Sequence, residues 1–259
     1  MTRDDPQRQL KYNQQTLACQ VQPGQVQPGK APGVMFLGGF GSDMTGSKAS
    51  YLSEFCRQRD QAYVRFDYTG HGQSSGRFID GTIGQWLDDA TEVFDQLTTG
   101  PQILVGSSMG GWLMVLLALR RPTRVAGLVG VAAAPDFTEE LIWQTLPPDD
   151  RQRLITEGVI YSPSDYGPEP TPYTLRLIEE GRQHLVLTKP IPFTGPVRLL
   201  HGLQDRDVPW QMSQRLGDAV ESNDVVVTLI KGGDHRLSAP QDLNRLGQAI
   251  SEITSRLSG

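Results

Sequence analysis

Apolar and polar positions alternate along most of this chain in two different rhythms. Short apolar runs at residues 34–37, 62–66, 102–105, 125–131, 197–200 and 225–230 read as strands. Between them lie stretches whose apolar residues recur every three to four positions, the spacing of one face of a helix. Residues 48–59 put Tyr51, Leu52 and Phe55 on one side. Residues 83–97 do the same with Ile83, Trp86, Leu87, Ala90, Val93, Phe94 and Leu97. Helical patterns also cover 112–119, 212–219 and 240–257. Strands that alternate with helices predict a mostly parallel central sheet, right-handed crossovers and helices on both faces. Ahead of this core, Gln20-Val21-Gln22-Pro23-Gly24 is followed by Gln25-Val26-Gln27-Pro28-Gly29. Alternating Val and Gln with Pro-Gly punctuation predicts edge strands and turns.

The alternation stops between residues 136 and 192. This stretch holds Pro147, Pro148, Pro163, Pro168, Pro170, Pro172, Pro190 and Pro192, and little strand pattern. Short helices are expected near 139–146, 149–157 and 174–182. So long a break between two core strands exceeds an ordinary loop. It is read as a cap inserted into a single domain that spans residues 1–259.

The run at 102–105 leads directly into Gly106-Ser107-Ser108-Met109-Gly110, and a helical pattern follows. This is a G-x-S-x-G sequence at a strand-to-helix turn, the context of the nucleophile elbow in the α/β-hydrolase fold. Glycine at the two flanking positions permits a sharp turn and close packing behind the serine. Only Ser108 fits the frame, because a nucleophile at Ser107 would require glycine where Val105 and Met109 stand. Ser108 is the candidate nucleophile.

A serine hydroxyl needs a base, and the base needs an orienting carboxylate. In this fold the chain order is Ser, then Asp or Glu, then His. His235 follows the last predicted strand in Lys231-Gly232-Gly233-Asp234-His235 and is the candidate base. The preceding strand leads into His201-Gly202-Leu203-Gln204-Asp205-Arg206-Asp207, where Asp205 is the favoured acid and Asp207 its rival. Asp234 is read as a loop acid. The remaining histidines receive lesser roles: His201 satisfies backbone groups, His184 lies on the surface of the cap, and His71 braces the loops around the site. Acyl transfer also needs two donors for an oxyanion. The Met109 amide is one, and the Phe40 amide, in Gly38-Gly39-Phe40-Gly41-Ser42, is the other. Within the cap, Leu141, Trp143 and Tyr161 are candidate substrate contacts, as part of an apolar set with Phe137, Ile142, Leu146 and Tyr166.

Composition narrows the field. Hydrophobic residues make up 37% and charged residues 20% of the 259-residue chain, as a globular protein with a sizeable core requires. A net charge of −5 offers no basic footprint for nucleic acid. Cys19 and Cys56 are too few for a disulfide framework and lie in no metal-ligand spacing. Gly38 to Gly41 lack the G-K-[ST] of a phosphate loop. No metal or cofactor is expected. No apolar run approaches the ~20 residues of a membrane span. The N-terminal residues resemble neither a secretory signal nor an acid-poor transit peptide, so the expected location is cytoplasmic.

On these residues the chain resembles a known family. The segments Gly29-Lys30-Ala31-Pro32-Gly33, Arg65-Phe66-Asp67-Tyr68 and residues 100–114 are similar to α/β-hydrolase domain-containing protein ten. So are Arg198-Leu199-Leu200-His201-Gly202, Val208-Pro209-Trp210 and Asp234-His235-Arg236. Members of that family are palmitoyl-protein thioesterases and acyl-glucuronide esterases. The resemblance implies hydrolysis of carboxylic esters or thioesters through Ser108, Asp205 and His235, in a bacterial-type cytoplasmic member. The expected partner is a small-molecule or protein-linked acyl ester or thioester. The same residues could instead serve carbon–carbon bond hydrolysis or perhydrolysis, or belong to a non-enzymatic ligand-binding receptor built on this fold.

Overall fold

The structure, a computed structural model, describes residues 7–24, 31–163 and 169–257. Strands β1 (Gln7–Tyr12) and β2 (Gln15–Gln22) form an antiparallel hairpin. Its two-residue turn places Asn13 and Gln14 at φ 45° and 66°, the left-handed pair that matches the twist of hairpin strands. The first Gln-Val repeat ends β2. The second lies outside the described residues. The edge predicted for the repeat falls one strand further out, because β2 is paired on both sides and β1 forms the edge.

From β2 the sheet continues through β4 (Tyr63–Phe66), β3 (Gly33–Leu37), β5 (Gln102–Ser107), β6 (Val125–Val131), β9 (Val197–Gly202) and β10 (Val225–Ile230). Every pair from β4 onward is parallel. The predicted mostly parallel sheet is therefore present, with β3, β5, β6 and β9 buried almost throughout and the edge strand β10 partly exposed. Helices α1 (Ser47–Gln58) and α7 (Pro240–Leu257) contribute Leu52, Cys56, Leu246, Ile250 and Ile253 to the core on one face. Helices α2 (Ile83–Leu97), α3 (Met109–Arg120) and α6 (Gln211–Ala219) contribute Trp86, Phe94, Trp112, Leu113, Met212 and Leu216 to the other. The α2 boundaries follow from sequence: Thr82 caps it by accepting from the Gln85 amide at 3.3 Å, and its apolar stripe runs to Leu97.

Between β6 and β9 the chain forms a layer of its own. A π-helical segment, Thr138–Trp143, is followed by α4 (Pro148–Glu157), β7 (Val159–Ser162), β8 (Thr171–Thr174) and α5 (Leu175–Gly181). Strands β7 and β8 pair as a separate antiparallel sheet, which the proline content had hidden. Pro172 is tolerated because a two-stranded sheet is all edge. The two ends of the insertion are joined at Asp136, whose carboxylate accepts from the Val186 and Leu187 amides, each at 2.8 Å. The Glu180 carboxylate accepts from the Gly84 amide at 3.0 Å, and the Trp112 indole donates to the His184 carbonyl at 3.0 Å. Arg215 of α6 also pairs with Glu140. The insertion is thus fastened to α2, α3 and α6.

Candidate active site

The carboxyl ends of β3, β5, β9 and β10 deliver the candidate residues, the end of a parallel sheet where sites form. Ser108 stands between β5 and α3 with φ 54° and ψ −121°. A side chain held there costs of order 1–3 kcal/mol and persists only where the surroundings impose it. The constraints are visible. The Ser108 amide donates to the Val131 carbonyl at 3.0 Å, and the Ser108 carbonyl accepts from Gly111 and Ala134 at 2.8 and 3.0 Å. A Cβ on Gly106 would lie 2.3 Å from the Gly110 carbonyl oxygen, and one on Gly110 would lie 2.1 Å from that of Leu37. The two motif glycines are steric requirements of the turn.

Ser108 Oγ lies 3.2 Å from His235 Nε2, and His235 Nδ1 lies 2.8 Å from Asp205 Oδ2. Carboxylate oxygens only accept, so Nδ1 carries the proton and Nε2 presents a lone pair to the serine hydroxyl. The Asp205 side chain is fully buried, and that of His235 is largely so. Asp205 Oδ1 accepts from the Asp207 and Val208 amides at 2.9 and 2.8 Å. Burial alone would raise this carboxyl. The hydrogen bonds from His201 and His235, followed by the His235 charge and the Val208 amide, overturn that and hold it well below the usual carboxylate range. Asp207, the rival acid, is exposed. Asp234 accepts from the Leu237 amide at 2.9 Å, a loop role as expected.

The loop after β3 backs directly onto the serine, since a Cβ on Gly39 would lie 3.3 Å from Ser108 Cβ. Its turn is closed by the Ser42 amide, which donates to the Gly39 carbonyl at 3.2 Å, and by the Gly41 amide, which donates to His71 Nε2 at 3.2 Å. Phe40 sits between them. Met109 is the first residue of α3, where a backbone N–H has no intrahelical acceptor. His71 takes the bracing position expected of it. Burial pushes its imidazole down to about 4, and the neutral ring can accept from Gly41.

The candidate contacts in the insertion differ in their surroundings. Tyr161 is 60% exposed. On β7 the side chains alternate, and Ile160 takes the inward position that Tyr161 therefore lacks. Trp143 is flanked by the guanidinium groups of Arg151 and Arg182, 5.0 and 4.8 Å from its ring centroid. Leu141 is half-buried against the core. Tyr166 lies outside the described residues. The insertion's rings that meet Phe40 are Phe137, one of the expected apolar set, and Tyr173, at centroid distances of 5.6 and 5.8 Å, while Phe78 and Trp86 pack on the same ring at 4.7 and 5.7 Å. Tyr173 comes from β8 and was missed with that strand. His184 is half-buried, 2.7 Å from the Glu180 carboxylate, and is not the surface residue expected. His201 does more than satisfy backbone: besides the Val208 carbonyl, it contacts Asp205 and Ser213.

Asp205, Asp207 and His235 also bring potential ligand atoms within 4.8 Å of one another. The Asp205 carboxylate is already saturated by four donors, so the cluster reads as a hydrogen-bonded set and not as a metal cage.

Residues 34–246 match the family described as "Alpha/beta hydrolase family". A curated relative, the mitochondrial palmitoyl-protein thioesterase ABHD10 of Bos taurus, is 43% identical over 89% of this chain and 75% of its own length. The solved structure of mouse α/β-hydrolase domain-containing protein 10 superposes with a TM-score of 0.89 at 37% identity, covering 97% of this chain and 99% of that one. A putative hydrolase from Agrobacterium vitis S4 gives a TM-score of 0.90 at 39% identity, covering 96% and 98%. These findings correct the expected cytoplasmic location, since the curated ABHD10 relatives from cattle, mouse and human are all named as mitochondrial. No described helix is long and apolar enough to cross a membrane. With its elbow, its sheet and its similarity along nearly the whole length, the chain belongs to the alpha/beta hydrolase family and, within it, to the ABHD10 hydrolases.

Proposed function

We propose that this protein cleaves acyl esters and thioesters through an acyl-enzyme on Ser108, with His235 as base and Asp205 as its orienting acid. The observation that carries the reading is the continuous contact from Ser108 Oγ through His235 to the buried Asp205 carboxylate, at 3.2 and 2.8 Å. Ser108 attacks the acyl carbonyl as His235 Nε2 takes its proton. The amides of Phe40 and Met109 receive the negative charge that develops on the carbonyl oxygen. Collapse of the tetrahedral adduct expels the thiol or alcohol, which takes the proton from His235. Water, deprotonated by the same imidazole, then attacks the acyl-serine and releases the carboxylic acid.

The insertion between β6 and β9 serves as the cap in this reading, within one domain. Phe137 and Tyr173, packed on Phe40, form an apolar wall next to the oxyanion loop. Such a wall suits an aliphatic acyl chain better than a polar one. The ABHD10 relatives named as palmitoyl-protein thioesterases favour an S-acyl thioester as the substrate class. Treatment with a fluorophosphonate probe tests the reading. The expected result is stoichiometric labelling that maps to Ser108, together with turnover of a p-nitrophenyl ester that the probe abolishes. A protein that binds acyl esters but neither labels nor turns over would be a receptor.

A further inference from the structure

His201 is fully buried at the end of β9. A buried imidazole is costly unless each ring nitrogen is matched. Here both are. Nε2 lies 3.1 Å from Asp205 Oδ2 and 3.0 Å from the Val208 carbonyl, and Nδ1 lies 2.7 Å from Ser213 Oγ. The two neighbours of Nε2 are acceptors only, so Nε2 carries the proton and donates to both. Nδ1 then accepts from the hydroxyl of Ser213, itself fully buried in α6.

Asp205 Oδ2 therefore lies between two imidazoles, that of His235 at 2.8 Å and that of His201 at 3.1 Å. The terminal torsion of an aspartate is broad, so the side chain alone does not set the plane of its carboxylate. The amides of Asp207 and Val208 hold Oδ1 only. A donor on Oδ2 opposite His235 is what keeps that oxygen aimed at the His235 ring.

We propose that His201, backed by Ser213, is a positioning residue for the reaction: it fixes the Asp205 carboxylate and, through it, the orientation of His235. The proposal rests on the catalytic reading of Ser108, His235 and Asp205. It extends the row of contacting side chains beyond the acid to Ser108, His235, Asp205, His201 and Ser213. A ring lost from this position leaves substrate binding intact and costs turnover.

Steady-state kinetics of His201→Leu, His201→Gln, Asp205→Asn and the double variant His201→Leu/Asp205→Asn test this on the full chain. Outer hydrogen-bond partners of functional imidazoles at metal sites are typically worth about 10- to 100-fold. A kcat loss of about that size is expected for His201→Leu, with KM changed by less than about twofold. The glutamine amide can donate where Nε2–H does, so His201→Gln should recover most of the lost kcat. Because His201 acts through Asp205, His201→Leu should cause no further loss in the Asp205→Asn background. Equal losses for Leu and Gln, or losses that multiply in the double variant, would overturn the proposal. Should His201→Leu fail to fold, Ser213→Ala carries the same cycle: a smaller kcat loss that vanishes with Asp205→Asn is expected, and full activity overturns the proposal. An unimpaired Asp205→Asn enzyme would instead overturn the catalytic reading, and this proposal with it.

Discussion

Gly202 and Gly233 are in backbone contact: a Cβ on Gly202 would lie 2.2 Å from the Gly233 carbonyl oxygen. That carbonyl also accepts from the Gln204 amide at 2.8 Å. The loop that carries Asp205 and the loop that carries His235 therefore share one interface, and their spacing is set by the absence of two side-chain atoms. Gly202→Ala should push them apart. A misplacement of about 1 Å can cost on the order of 10²-fold, and kcat is expected to fall by about that much along with a drop in Tm. Gly232→Ala is the control, because nothing lies within 4 Å of its added Cβ. Its kcat should match the wild type.

The two candidate acids separate by geometry. Asp205→Asn leaves the site's shape but removes the charge that sets the His235 tautomer, and the corresponding change in a related triad lowers kcat by about 10⁴. Asp207 is exposed and meets Asp205 through its backbone amide, which an asparagine retains. Asp207→Asn should cost less than about tenfold. Kinetic constants for both variants decide the order, and a larger loss at Asp207 would reassign the acid.

Two buried groups next to Thr69 should respond to acid in opposite directions. The Asp89 carboxylate accepts from the Thr69 amide at 2.8 Å, and His71 Nδ1 lies 3.4 Å from the Thr69 carbonyl. Burial pushes His71 down from 6.5 to about 4 and Asp89 up from 3.8 to about 6. Between pH 6.5 and 4 the unfolded chain binds the His71 proton and the folded chain does not, so the His71 contribution to stability is lost as pH falls. Between pH 6 and 3.8 the folded chain binds the Asp89 proton first, so the Asp89 contribution is regained as pH falls. Each is worth roughly 3 kcal/mol at most, and in the wild type the two largely offset. Thermal melts from pH 7 to 4 should show Asp89→Asn losing stability more steeply on acidification than the wild type. His71→Asn should lose it less steeply. Identical slopes for all three proteins would contradict the assignment.

Acyl-chain preference should depend on Tyr173 and not on Tyr161. Tyr173 stacks on Phe40 with an interplanar angle of 23°, whereas Tyr161 points to solvent. A buried methylene is worth about 0.8 kcal/mol, or roughly fourfold in kcat/KM. For p-nitrophenyl esters from acetate to decanoate, kcat/KM should rise over several carbons and then fall. Tyr173→Ala should shift that maximum, and Tyr161→Ala should leave it in place. A flat profile in the wild type, or a shift with Tyr161→Ala alone, would remove the proposed wall from the acyl site.

Much of this fold was legible because the inner parallel strands are apolar runs buried on both faces and the amphipathic helices α2 and α7 are buried on one. Those two periods marked β6, β10, α2 and α7 at their ends or within a residue of them. The elbow was legible because Gly106 and Gly110 answer to sterics that only glycine meets. What escaped was set by pairing partners that the local pattern does not name. Strand β1 reads as polar: of residues 8–12, Leu10 alone is buried. Strand β8 is masked by Pro172, and Tyr173 was lost with it. Tyr161 was a candidate substrate contact on its aromatic character alone, and the strand register that turns Ile160 inward and Tyr161 outward is not marked in the local pattern. His201 looked like a strand-end residue, and only the tertiary fold brings Ser213 and Asp205 to its two nitrogens.

Turnover of p-nitrophenyl acetate by wild type, Ser108→Ala and Ser107→Ala addresses the central claim, an acyl-enzyme on Ser108. Ser108 alone combines the strained elbow conformation with a 3.2 Å contact to His235 Nε2. Ser108→Ala should lose turnover by more than about 10⁴, the scale set by removing a serine nucleophile. Ser107→Ala should retain most of it. Wild-type rates from Ser108→Ala would contradict the account.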